Sequence, residues 1–135
     1  MFSAKGGEKM TLELVATKKA PAAVGPYSQG VKAGNIIFSS GQLHIDPNTG
    51  ELLRGDIQDL TRQSLNNVKA ILEEAGATLE DVVKVTVFVK DIKKFSLINE
   101  VYGEFFSNHK PARSLVEVSQ LPLDGEIEIE AIAVI

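Results

Sequence analysis

The closing run of the chain, IEIEAIAVI at residues 127–135, alternates with a period of two, which commits it to an extended strand with two unlike faces. Ile127, Ile129, Ala131, Ala133 and Ile135 share one side and read as core. Glu128 and Glu130 share the other with Ile132 and Val134. That second face begins charged and finishes apolar, so it leaves solvent partway along and enters a contact with another element or another chain. A carboxylate at such a border is either a solvated strand end or a functional group, and the strand alone leaves both readings open. A strand this apolar needs neighbours in a sheet. VVKVTVFVK, residues 82–90, supplies one, with Val83, Val85, Val87 and Val89 on one face and Lys84, Thr86 and Phe88 on the other.

TLELVA at 11–16 alternates in the same way, and after the loop KKAPAAVGPYS the segment QGVKAGNIIFSSG reads as a hairpin turning at Ala33-Gly34-Asn35. DPNTG is a polar turn. The period then changes. Asp56 suits an N-cap, Ile57, Leu60, Ser64, Leu65, Val68, Ile71, Leu72 and Ala75 fall on one helical face, and Gly76 offers the stop. Phe95, Ile98, Tyr102 and Phe105 recur at spacings of three and four, which predicts a second helix from about Lys93 to Phe106, ending before Pro111. Gly103 inside it costs about 1 kcal/mol relative to Ala, and close packing against another backbone would explain it. RSLVEV and the closing run are joined by QLPLDG, and pairing them as antiparallel neighbours is the simplest topology. The order predicts an α+β sandwich, one sheet with two helices on one face.

With 135 residues, 44% of them hydrophobic, one domain with its own core is expected over residues 11–135. MFSAKGGEKM, residues 1–10, reads as a mobile extension without the apolar stretch of a signal peptide, and no apolar run is long enough to span a membrane. The absence of cysteine excludes disulfides, thiolate nucleophiles and Cys-ligated metals, and fits the cytoplasm. A net charge of −4 speaks against nucleic acid as a partner.

Standard catalytic motifs are missing: no phosphate loop, no GxGxxG after a strand, no HExxH. His44 and His109 stand alone and read as surface or capping residues, with no metal site implied. Ser39, Ser40 and Ser114 have no evident base partner. One pairing remains. Arg113 enters the strand after Pro111-Ala112 and Glu128 lies early in the next, so a hairpin would set both at one sheet end. As a surface salt bridge the pair is worth about 0–1 kcal/mol. As a site, a guanidinium grips a small carboxylate bidentately while the Glu holds and deprotonates a water.

The segments APAAVGPYSQG, IIFSSGQ, RQSLNNVKAILEEAG, VKVTVFVKDI, INEVYGEFF, PARSLVEV and IEIEAIAV, in this order, resemble the RidA (YjgF) family of enamine/imine deaminases. The resemblance implies a chorismate-mutase-like α+β fold assembled as a homotrimer, with active sites at the subunit interfaces. It implies hydrolysis of 2-imino acids, derived from enamines such as 2-aminoacrylate and 2-aminocrotonate, to 2-keto acids and ammonia, without metal or cofactor. By matching motif, Arg113 binds the substrate carboxylate and Glu128 activates the water; Tyr27 lines the pocket from the neighbouring chain, with Ser40 and Gly41 beside it, and Asn99 and the backbone at Leu115 complete the wall. Many bacterial relatives carry Cys where Leu115 stands, which the chemistry does not require. Glu130 is read as a structural or interface acid.

Three other functions fit parts of the pattern. A trimeric, non-catalytic module binding a small carboxylate would keep Arg113 and dispense with Glu128. An RNA-cleaving translation inhibitor needs a basic surface that the composition opposes. A holdase needs exposed apolar surface indifferent to Arg113.

Overall fold

The computed structural model describes residues 11–135, so the expected N-terminal extension lies outside the described residues. In chain order the elements are β1 (Leu12–Val15), β2 (Gly30–Ala33), β3 (Ile36–Ser39), β4 (Gln42–Leu43), α1 (Ile57–Glu74), β5 (Val82–Val89), α2 (Phe95–Phe105), β6 (Ala112–Glu117) and β7 (Ile127–Val134). They form one mixed sheet in the order β1-β2-β3-β7-β5-β6, with β4 also paired to β7, and two helices against it. Among the described residues no helix is long and apolar enough to cross a membrane.

The Asp56 side chain accepts the Asp59 N–H at 3.1 Å to start α1, and Gly76 at φ +93° turns the chain out of it. Every apolar position expected on its inner face is buried. These side chains meet Ile37, Val85, Val87, Val89 and the odd-numbered residues of β7 from Ile127 to Ala133, so the core lies between the helices and one sheet face. Ile135, expected to continue that face, lies beyond the strand and is exposed.

Four expectations are corrected. The last two strands are not neighbours: β5 lies between β6 and β7, antiparallel to β7 and parallel to β6. The parallel pair arises because α2 carries the chain from β5 over the sheet, and this leaves the sheet centre for β7. Val83 is 46% exposed whereas Val82 is buried, because a bulge between Val82 and Lys84 shifts the alternation by one residue. Phe95 is 50% exposed, and Ile98 and Val101 bury α2 in its place. A Cβ on Gly103 would meet nothing within 4 Å, so among the described residues of this chain no backbone packs closely there.

Candidate active site

The core is sealed on the helix side, and among the described residues neither α-helix covers the opposite face of the sheet. Register places Glu128 and Glu130 of β7 on that open face, opposite Phe88 and Thr86 of β5. At the β4 end Glu128 borders an open cavity of about 630 Å³, whose wall also includes Tyr27, Ser40, Gly41, Leu123 and Glu130.

Its wall is held by buried polar groups. The Gln29 carboxamide accepts the Thr17 N–H at 2.6 Å and donates to the carbonyls of Thr17, Ala20 and Pro21, which folds the loop before Tyr27 onto the sheet. The Ser40 hydroxyl donates to the Ser28 carbonyl at 2.6 Å, closing the same loop. Between β3 and β4 the ladder to β7 breaks, and the Ser39 hydroxyl accepts the Ala131 N–H that the break would leave unpaired. His44, expected as a surface or capping residue, is buried and bonds backbone at both nitrogens: Nδ1 faces the Leu53 carbonyl at 3.0 Å and Nε2 accepts the Glu126 N–H at 2.9 Å. Burial lowers its pKa, so the neutral ring ties β4 to the start of β7.

Gly41 shapes the acid. A Cβ there would stand 2.6 Å from Oε2 of Glu128, so the carboxylate lies in space that only glycine leaves open. Burial, and then the neighbouring Glu130, raise the Glu128 pKa above its ordinary value. An acid so placed exchanges a proton closer to neutrality than a solvated one.

Arg113, Asn99 and Leu115 lie elsewhere. In the parallel pair Arg113 is opposite Val85 and Leu115 opposite Val87, so both point to the helix side. Leu115 packs partly against the core. The Arg113 guanidinium donates from Nη1 to Asn99 Oδ1 at 2.7 Å and lies over the Tyr102 ring, 4.6 Å from its centroid. Within one chain Arg113 and Glu128 therefore occupy opposite faces, two strand spacings or about 10 Å apart across the sheet and three residues, roughly another 10 Å, apart along it. The expected hairpin does not bring them together. Tyr27 borders the same cavity as Glu128 of its own chain.

Tyr102 was not among the sequence candidates; its spacing three residues after Asn99 in INEVY, on one helical face, was the available signal. Glu130, expected as a structural or interface acid, borders the same cavity as Glu128.

Comparison with known proteins converges on one family. The family model described as endoribonuclease L-PSP matches residues 17–135. The 2-iminobutanoate/2-iminopropanoate deaminase of Escherichia coli is 55% identical over 89% of this chain and 95% of its own. The crystal structure of the YjgF gene product of E. coli superposes with a TM-score of 0.87 at 54% identity, covering 90% of this chain and 98% of that one. E. coli TdcF, solved with bound serine, superposes with a TM-score of 0.87 at 49% identity over 91% of this chain and 98% of its own. With a family model matched over most of its length and relatives of this identity over nearly their whole length, the chain belongs to the endoribonuclease L-PSP family, the RidA (YjgF) group that its motifs resemble.

Proposed function

We propose that this protein hydrolyses small 2-imino acids to 2-keto acids and ammonia, in sites assembled between the subunits of a homotrimer. The observation that carries this reading is the division of the site. Glu128, Tyr27, Ser40 and Gly41 gather on the open face, while Arg113 and Asn99 gather at the β6 edge on the other, so a substrate touching both must sit between two copies. The open face also exposes Leu14, Phe38, Val116 and Val134, an apolar surface of the kind that a second copy covers. The serine bound to TdcF and the name of the E. coli deaminase lend support, since serine and a 2-imino acid both carry a carboxylate beside a nitrogen-bearing carbon.

Arg113 of one subunit grips the carboxylate and sets the C=N carbon against the Glu128 cavity of another. Glu128 takes a proton from water as the water oxygen bonds to the carbon of the protonated imine, and the C=N pair moves onto nitrogen to leave a neutral amine. The proton held by Glu128 then passes to the amine of the carbinolamine, the C–N bond breaks, ammonia leaves, and the hydroxyl gives its proton back to the Glu128 carboxylate as it collapses to the ketone. The raised pKa suits this shuttle. Two cavity carboxylates and a net charge of −4 repel a phosphodiester, which disfavours ribonuclease action despite the family's name.

The test is subunit complementation. Arg113→Ala and Glu128→Ala are each assayed for ammonia release from an imine generated in situ, then unfolded together and reassembled. Inactive parents that regain about one quarter of wild-type activity on random mixing support intersubunit sites, because that fraction of interfaces pairs an intact Arg113 with an intact Glu128. No recovery sinks the shared site, a monomer in sedimentation sinks the trimer, and an inactive wild type sinks the deaminase reading.

A further inference from the structure

We propose that Tyr102 is a positioning residue: its ring, seated on Phe106, holds the Arg113 guanidinium flat so that one edge is preset for the substrate carboxylate. This rests on the deaminase reading above and extends it to a side chain that does not touch the substrate.

Arg113 stands on the exposed edge strand, and a long cationic side chain there would ordinarily sample many rotamers. Two contacts restrain it. Asn99 Oδ1 accepts from Nη1 at 2.7 Å, and the Tyr102 ring lies under the guanidinium, 4.6 Å from centroid to Cζ. Asn99 and Tyr102 lie three residues apart on α2 and so offer both contacts from one face of a rigid element. The ring is itself held, because its centroid is 4.9 Å from that of Phe106, with the planes tilted by 38°, and Phe106 is buried in the core. Core, Phe106, Tyr102 and guanidinium therefore form a continuous stack.

The remaining geometry shows what the stack leaves free. With Cζ over the ring and Nη1 bonded to Asn99, the edge bearing Nε and Nη2 is the two-donor fork that matches a carboxylate. Among the described residues the Tyr102 hydroxyl is buried and has no hydrogen-bond partner, so the residue acts here through its ring. Asn99 on this account orients the cation and does not line the cavity.

The experiment compares wild type, Arg113→Ala, Tyr102→Leu and Tyr102→Phe, each confirmed as folded and in the wild-type assembly by sedimentation. Tyr102→Met, closer in volume to Tyr, stands in for Leu if that variant unfolds. Order of the guanidinium is read from 15N relaxation at Nε of Arg113, and carboxylate affinity from calorimetric titration with 2-oxobutanoate. Losing the ring is expected to free Nε and weaken binding about tenfold, and Tyr102→Phe is expected to recover both. A Tyr102→Leu protein with Nε as ordered and binding as tight as in wild type overturns the proposal, as does a Tyr102→Phe protein that fails to recover. Wild type that binds no 2-oxobutanoate, with Arg113→Ala indistinguishable from it, overturns the deaminase reading and removes the purpose of the stack. Binding lost in Arg113→Ala but intact in Tyr102→Leu overturns the stack alone.

Discussion

Glu128 and Arg113 carry opposite charges, and the fold prepares them in opposite ways. The acid stands on β7, inside the sheet, where burial and a second carboxylate disfavour its charge and an adjacent glycine gives it room. The cation stands on β6, at the edge, and its position is set by Asn99 and Tyr102 of α2. Environment tunes the reactivity of one, and contacts fix the geometry of the other. A chemical step should therefore be most sensitive to changes around Glu128, and a binding step to changes around Arg113.

The largest effect expected from that contrast is on turnover. Glu128→Gln keeps shape and hydrogen bonding but cannot take a proton, and kcat should fall by about 10²- to 10⁴-fold with KM little changed. Arg113→Lys keeps charge but loses the planar fork, so KM should rise by about tenfold or more with a smaller loss in kcat. Steady-state kinetics on one imine generated in situ distinguishes them. If both variants lose kcat and KM in the same proportion, the division of labour is wrong.

The elements were legible because their periods are local. The apolar stripe of α1 and its Asp56 cap were read from spacing alone, and the structure buries the same positions. Strand order was not legible, since whether β7 pairs with β6 or inserts beside β5 depends on contacts far apart in the chain. From that one error followed the expectation that Arg113 and Glu128 meet within a chain. Val83 differs for a smaller reason: a bulge between Val82 and Lys84 adds one residue and exchanges the faces before it, and the adjacent valines Val82 and Val83 offer an apolar side chain for either register. The motifs pointed to Tyr27, Ser40 and Gly41 together, and all three border one cavity with Glu128. Their spacing could not disclose that Ser40 is occupied with Ser28, or that Gly41 matters for the space above it.

Gly41 offers a finer test of how Glu128 is prepared. Gly41→Ala would place a methyl 2.6 Å from Oε2, and the carboxylate, being the end of a flexible side chain, should swing away with little disturbance to the backbone. Activity should fall on the order of tenfold from misplacement of the base, with Tm nearly unchanged. A large drop in Tm would mean that the glycine serves the β3–β4 turn itself, and full activity would mean that the acid works from more than one position.

The smallest effect is thermodynamic and isolates the environment of Glu128 from catalysis. Its pKa in the folded protein lies above the ordinary carboxylate value of 4.5, with burial the larger cause and Glu130 the second. The folded state therefore holds this proton more tightly than the unfolded chain does, and stability falls as pH rises from the unfolded value through the folded one. Above that window the full penalty is present; below it the acid is protonated in both states and the penalty is gone. Glu128→Gln, which is never charged, should therefore melt higher than wild type at neutral pH, and the difference should shrink as pH is lowered through the window. Calorimetry across that range at fixed protein concentration reads the effect, with concentration held constant because assembly also moves Tm. A constant difference at every pH would assign the stabilisation to packing, and a Gln variant that melts lower at neutral pH would mean that the charged acid gains a partner in the assembled site, with Arg113 across the interface the cation to test by the double variant.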